Sequence, residues 1–383
     1  MLARVGRPYD GWDKGRGDCA TLSNGGAHRY SHDDMTDFNL RPMEPTDGPA
    51  IDALMREEAQ TTKVSMTTHY SHDVYQAFLA QHPTLYGVVA EAPGAAGIVG
   101  MATAFVDEVT IGGHLFPSAH LENLKVRHDV RRQGLGARLA AWRIEEAERR
   151  FNGDGVIAAG VEGSNVASLA TAGRWSTQVL GPVRIVIART TSKVPTSRGL
   201  EIRPLVEGDI GSVVEAIAAF YAGYDIVPRQ TAAGFAAALA PTRLGGPIRQ
   251  YRVAVGSDGT LVAGASVTER FKLMTDHIDS MPLPLALVGR VTGLIPADRT
   301  IRSIEVGLAW HAPGRVDALR GLWDAIRFEW RDRTTNVVGL ADPRGTLLEA
   351  LHVGRTFIPR VELMAPVRSP VRIDERRLLY MWR

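Results

Sequence analysis

The sequence predicts a mixed α/β protein of α+β layers, built as two similar units in tandem. Three observations lead there. At 383 residues the chain is long for one core and comfortable for two. Short apolar strand patterns alternate with amphipathic helical ones. A set of landmarks then occurs twice in the same order, the mark of an internal repeat.

The first 36 residues are rich in Gly, Asp, Arg and His and carry no periodic apolar pattern, which predicts an extension outside the core. Met35 stands just before the first strand and is an alternative start. The cluster His28, His32, Asp33 and Asp34 is read as a solvated tail rather than a metal site, since nothing nearby would fix ligand geometry. Order begins with a strand at Phe38–Arg41 and a turn in which Asp47 caps the helix opened by Pro49. A long polar connection follows, "EEAQTTKVSMTTHYSHDVYQAFLAQHP", of the kind that lines substrate sites. Next come a hairpin, "YGVVAEAPGAAGIVGMAT", a strand, "HLENLKV", a helix, "LGARLAAWRIEEAERR", and a further strand and helix.

The second unit answers the first. Leu40-Arg41-Pro42 and Asp47 match Ile202-Arg203-Pro204 and Asp209. Tyr86 and its hairpin match Tyr251 and "YRVAVGSDGTLVAGASV", Glu122 matches Glu305, and Trp142 matches Trp323. "ASLATAGR" matches "LEALHVGR". Units at 37–190 and 200–383, joined by a linker at 191–199, follow from these matches.

Composition narrows the function classes. A hydrophobic fraction of 45% and a charged fraction of 22% are those of an ordinary soluble globular protein. No apolar run reaches the roughly 20 residues of a membrane span, and no secretory h-region opens the chain. A single cysteine, Cys19, excludes a disulfide framework and a thiolate metal cluster. A net charge of +2 argues against a dedicated nucleic-acid binder. The expectation is a cytoplasmic protein with no metal, no membrane and no nucleic-acid partner.

The chemistry concentrates between the strand "HLENLKV" and its helix, in Arg131-Arg132-Gln133-Gly134-Leu135-Gly136-Ala137. A glycine-rich turn feeding a helix presents free N–H groups and the positive end of the helix dipole, which together suit a diphosphate. The glycines permit close approach, and Arg131 and Arg132 add charge. The pattern lacks the three spaced glycines of a dinucleotide site and the Gly-Lys-Ser/Thr of a nucleotide loop. A tight turn before a surface helix would satisfy it equally.

Val126, four spacers, then Arg131-x-x-Gly134-x-Gly136-Ala137 resembles the acyl-CoA signature of the GNAT superfamily of N-acyltransferases. The resemblance implies two tandem GNAT-like domains, each a mostly antiparallel mixed central sheet flanked by helices. It implies that the amides of Arg132, Gln133, Gly134, Leu135, Gly136 and Ala137 bind the diphosphate of acetyl-CoA or another acyl-CoA. It further implies that Leu124, Lys125 and Val126 form the edge along which pantetheine lies, with the Leu124 N–H polarising the thioester carbonyl. Asn165 and Ser168 match the family's later motif, but "LATAGRW" lacks its tyrosine, so no general acid carries over.

In the second unit, alignment on the tryptophans replaces Arg131, Arg132, Gly134 and Gly136 by Ala312, Pro313, Arg315 and Asp317. A proline without an N–H and a carboxylate facing the diphosphate predict a copy that does not bind CoA. It would complete a substrate cleft or support a homodimer.

Acyl transfer to an amine needs a general base, because alkyl ammonium groups titrate near ~10. Glu122 is the first candidate; on a regular strand it shares a face with Leu124, and with His120, the second candidate. A structural ion pair is the alternative for Glu122, and the matching Glu305 favours it. His69 and His72 could reach the cleft or be ordinary loop residues. Tyr70 and Tyr75 could shape a pocket or pack the core, and the Arg383 carboxylate is a further base candidate. The expected activity is direct transfer of an acetyl or short acyl group to a primary amine, in preference a small molecule. A non-catalytic acyl-CoA binder, or O-acylation or decarboxylation on the same fold, remain open.

Overall fold

A computed structural model describes residues 37–381 apart from 58–59, 62–63, 197–198, 292–294 and 352–360. The expected extension at 1–36, with Cys19, the histidine cluster and Met35, lies outside the described residues, as do Arg383 and part of "LEALHVGR".

The first half runs β1 (Asn39–Pro42), α1 (Gly48–Glu57), β2 (Gln60–Thr61), β3 (Ser65–Tyr70), α2 (Val74–Gln81), β4 (Leu85–Glu91), β5 (Ile98–Ile111) and β6 (His114–Val126). It continues with α3 (Leu135–Phe151), β7 (Val156–Ala159), β8 (Val161–Glu162), α4 (Val166–Ala172) and β9 (Gln178–Arg189). The second half runs β10 (Glu201–Pro204), α5 (Ile210–Phe220), β11 (Tyr224–Asp225), β12 (Val227–Pro228), α6 (Ala232–Leu239), β13 (Arg249–Val255), β14 (Leu261–Thr268) and β15 (Met274–Ser280). Then follow α7 (Leu283–Val291), β16 (Thr300–Ile301), β17 (Ser303–His311), α8 (Val316–Glu329), β18 (Asn336–Ala341), α9 (Leu347–Ala350), β19 (Val361–Arg368) and β20 (Leu378–Leu379).

One sheet of fourteen strands carries both halves, in the order β1-β4-β5-β6-β7-β19-β9-β18-β17-β14-β13-β10, with β12 beside β5 and β8 beside β19. The order reads alike from either end: β1-β4-β5-β6-β7 is mirrored by β10-β13-β14-β17-β18. At the centre the two late strands are exchanged. β19 of the second half pairs with β7, and β9 of the first half pairs with β18. Pairing is antiparallel except at β6–β7 and β17–β18.

Local chemistry repeats too. Asp47 takes two hydrogen bonds from Arg41 at 2.8 Å and one from the Glu44 N–H. Asp209 does the same with Arg203 and the Val206 N–H. Asp47 therefore closes the turn before α1 by reaching back three residues, rather than capping the helix opened by Pro49 as expected. The guanidinium holds each carboxyl below the usual range.

Helix α3 buries Leu135, Leu139, Ile144 and Ala147 against the sheet, as its apolar spacing predicts. Its basic last turn and the left-handed Asn152 and Gly153 end it. The connection after α1 is more ordered than its polarity suggests. There β3 pairs antiparallel with β15 of the second half, and α2 packs Val74, Ala77 and Phe78 inward.

Candidate functional site

The site is built around a break in β6. That strand is paired with β7 only from Ser118↔Val156 to Leu121↔Ala159, after which β7 ends and, among the described residues, β6 has no ladder partner on that side. On its other side the ladder with β5 skips: Thr103 faces Glu122 and Met101 faces Lys125. Asn123 and Leu124 thus oppose Ala102 alone, and Asn123 has φ +47°, a β-bulge. The Asn123 amide secures the bulge by donating to Thr103 Oγ1 at 3.1 Å.

The extra residue changes which way side chains face. Ala119 and Leu121 pack with Ile144 and Ala147 of α3, so His120 and Glu122 point to the opposite face of the sheet. Beyond the bulge, Leu124 and Val126 lie on the α3 side, within 3.8 Å of the place a Gly136 side chain would occupy. The expectation that Glu122 and Leu124 share a face is therefore corrected: the bulge reverses the two-residue alternation between them.

Sequence reasoning missed the residue that supports this break. Arg143, on the buried face of α3, sends Nη1 to the carbonyls of Thr103 at 2.8 Å and Glu122 at 2.7 Å. Burial pushes its guanidinium down to about 10. Its own carbonyl accepts the Tyr86 hydroxyl. An arginine on an otherwise apolar helical face was the available signal.

On the α3 side, the turn 131–134 leads into the helix. Arg132 and Gly134 have φ +65° and +80°, and Gly134 is the N-cap. A glycine N-cap offers no side-chain acceptor, so no side chain caps the first turn. The Ala137 and Arg138 N–H groups close onto the Gly134 carbonyl. Arg131 Nε donates to the Val126 carbonyl at 3.0 Å, tying the turn to the strand, and Gln133 reaches the Asp129 carbonyl. The turn requires glycine at 134 for its conformation. At 136 the φ is ordinary, and the protein's own atoms would accommodate a methyl group.

On the opposite face, Glu122 stands between two histidines, with His82 Nε2 at 3.7 Å and His120 Nε2 at 3.9 Å. His82 ends α2 and stacks flat on Phe105 at 3.9 Å between centroids. Burial lowers the pKa of His82 to about 3 and of His120 to about 4, so both imidazoles are neutral at pH 7. His82 came from the segment read as a polar connection and was not singled out.

His82 and Phe105 also form one wall of a cavity of about 450 Å³. Its other walls come from the second half, including Arg249, Tyr251, Glu305 and Tyr380.

The remaining candidates lie elsewhere. His69 and His72 are exposed, His69 lying edge-on to His277. Tyr70 packs against Phe78, and Tyr75 lies against the same core, as the packing alternative had it. Asn165 caps α4 through the Ser168 N–H.

The second half repeats the break without the turn. Leu308 of β17 has φ +43°, and β18 pairs with β17 only as far as Val306↔Gly339. Relative to this bulge the residue equivalent to Glu122 is Gly307, opposite Ser266. Glu305 sits where His120 does, which corrects the Glu122–Glu305 match and removes its argument for a structural Glu122. Eleven positions separate Asn123 from the N-cap Gly134, but seven separate Leu308 from the N-cap Arg315. The shortened turn is filled by its own charges, Arg315 pairing with Asp317. The Leu308 N–H is taken by the Tyr380 hydroxyl at 3.3 Å.

Residues 51–174 match the family model described as Acetyltransferase (GNAT) family. Similar solved structures include Saccharomyces cerevisiae N-myristoyltransferase with bound myristoyl-CoA, at 13% identity and a TM-score of 0.60, covering 90% of this chain and 89% of that one. Another is a GCN5-related N-acetyltransferase from Sphaerobacter thermophilus, at 16% identity and a TM-score of 0.54, covering 88% of this chain and 98% of that one. No curated protein sequence matches the chain.

Proposed function

From a chain that has the GNAT fold and carries a GNAT acetyltransferase domain over 51–174, we propose an acyl-CoA-dependent N-acyltransferase that moves an acetyl or short acyl group to a primary amine of a small molecule. The observation that carries this reading is the bulge at Asn123. It sets the uncapped first turn of α3 on one side of β6 and Glu122 on the other, with an open strand edge between them.

The diphosphate would rest on the amides from Arg132 to Ala137, beside Arg131. Gly136, where packing alone would accept a methyl group, keeps that groove shallow. Pantetheine would follow Leu124 to Val126, with the Leu124 N–H donating to the thioester oxygen as negative charge develops there. The amine would arrive from the cavity past His82. Its lone pair attacks the thioester carbon, its proton passes to Glu122 directly or through water, and the C–S bond breaks to release CoA thiolate. With a thiol pKa near ~8.5, that thiolate takes its proton from water, and α4 supplies no tyrosine for the purpose. The two neutral histidines place no positive charge beside Glu122.

We read the second half as a copy that keeps the fold and has lost the donor site, its short turn being self-paired. Its contribution is the far wall of the acceptor cavity.

Glu122→Gln tests the assignment. Product mass spectrometry with acetyl-CoA and longer acyl-CoAs over an amine panel should show amide formation by the wild type. The variant should lose about 10²–10⁴-fold in kcat while donor affinity is held. Donor binding with no amide from any amine would instead favour an acyl-CoA-binding role, and CoA release without amide a different acyl outcome.

A further inference from the structure

Among the described residues, one cation of the acceptor cavity has no carboxylate in contact. Arg249 opens β13, lines the cavity and gives Nη2 to the Gln81 carbonyl at 2.7 Å. Among the described residues no carboxylate forms an ion pair with it. Glu305 and Asp107 attract it only at longer range, and Glu305 is already engaged by Arg270 at 3.6 Å. Arg229, the other arginine of the lining, is half exposed and pairs with Glu108 at 2.9 Å. Burial disfavours the charge on Arg249, and a guanidinium withdrawn from water with no matching anion is costly unless a partner arrives.

Position adds to chemistry. Gln81, which Arg249 touches, immediately precedes His82, and His82 lies 3.7 Å from Glu122. Arg249 and His82 line the same cavity, and Glu122 lies behind His82, outside the lining. Phe105 and Tyr251 add apolar surface to the lining. The two carboxylates of the lining, Asp107 and Glu305, favour an entering ammonium.

We propose that the acceptor is an amino acid or a molecule built like one, its carboxylate held by the planar fork of Arg249 and its amine presented past His82 to Glu122. This rests on the acyltransferase reading above and narrows its substrate class. The carboxylate is bound in both ground and transition states; the reacting bonds are those already given. Arg is suited to the task because its fork takes both carboxylate oxygens, which a lysine cannot do.

The test compares amino acids with the amines that lack only their carboxylate: glycine with methylamine, leucine with isoamylamine, phenylalanine with phenethylamine. Calorimetric titration without acyl donor is carried out on the wild type, Arg249→Lys and Arg249→Met, with acetyl-CoA binding as the check that each variant is folded. At least one amino acid should bind the wild type about tenfold or more tighter than its amine. Arg249→Met should abolish that gap and Arg249→Lys should retain part of it. Should Arg249→Met fail the folding check, the wild-type comparison and Arg249→Lys decide.

No carboxylate preference in any pair, or a full preference surviving in Arg249→Met, overturns the proposal. Transfer assays on the same pairs separate it from the reading beneath it. Carboxylate-dependent binding without amide product would keep the site and remove the acyltransferase. Equal acetylation of both members of every pair would do the reverse.

Discussion

Replacing Gly134 by alanine and by aspartate separates backbone strain from charge at the proposed diphosphate site. Gly134 sits at φ +80°, ψ −8°, and an added Cβ would meet no atom within 4 Å. Alanine there pays only conformational strain, about 1 kcal/mol, which lowers Tm by about 1 °C in a chain of this size. Aspartate tolerates the left-handed region better than alanine, so its strain is no greater. It adds a negative charge about 5 Å from a diphosphate seated on the first-turn amides, a repulsion of about 1–3 kcal/mol per unit charge between the solvent and protein-surface dielectric limits. Calorimetric titration of acetyl-CoA should therefore show Gly134→Ala within a few-fold of wild type. Gly134→Asp should bind about 10–100-fold more weakly than Gly134→Ala. Raising the salt to about 1 M shortens the screening length to roughly 3 Å and should close much of that gap. Equal affinities for the two variants, both folded, would refute the placement of the diphosphate at this turn. So would a second binding site per chain, since the second half is read as having lost its own.

Other expectations follow from the same geometry. The histidines beside Glu122 have folded pKa values of about 3 and about 4 against about 6.5 unfolded, so the unfolded chain binds protons first as pH falls. Their stabilising share is complete above pH ~6.5 and is lost at up to ~1.4 kcal/mol per pH unit for each toward pH 4. Chemical denaturation at pH 7, 6 and 5 should show this slope, and His82→Leu should make it shallower; a pH-independent wild type would contradict it. Arg143→Met removes the donor shared by two buried carbonyls and should destabilise by about 2–4 kcal/mol, read as a shift of the urea midpoint. A near-neutral Arg143→Met would mean the bulge stands without it. Tyr380→Phe releases the Leu308 N–H at a cost of about 1 kcal/mol in stability and should leave acetyl-CoA affinity unchanged. A rise to two bound acetyl-CoA molecules in that variant would show the second half to be masked rather than lost.

The turn at 131–137 was legible because its requirement is local: a left-handed N-cap leaves glycine on the surface of the sequence. The repeat was legible for a similar reason, since Arg41–Asp47 and Arg203–Asp209 are short-range devices copied intact. What depended on one inserted residue was not. Asn at 123 is a residue type enriched at positive φ, but nothing in the alternation of "HLENLKV" marks where the phase reverses. Without the bulge Glu122 and Leu124 share a face and Glu305 aligns with Glu122; with it neither holds. His82 stayed hidden because stacking on Phe105 joins α2 to β5 across a long polar connection. Arg143 falls on the stripe of Leu135, Leu139 and Ala147 at four-residue spacing, but what it binds there is set by the bulge and is not written in α3. The exchange of β9 and β19 is a long-range choice between equally apolar strands, which no periodicity distinguishes.

That exchange makes the chain a pledge held in both directions. Residues 37–190 cut out alone would leave β7 without its β19 neighbour and β9 without either of its own, three open edges of the kind that recruit other chains. On the reading proposed above, the half that carries the donor turn depends on the strand the other half lends. A half without that turn would then persist as scaffolding, because removing it exposes the edges of its neighbour.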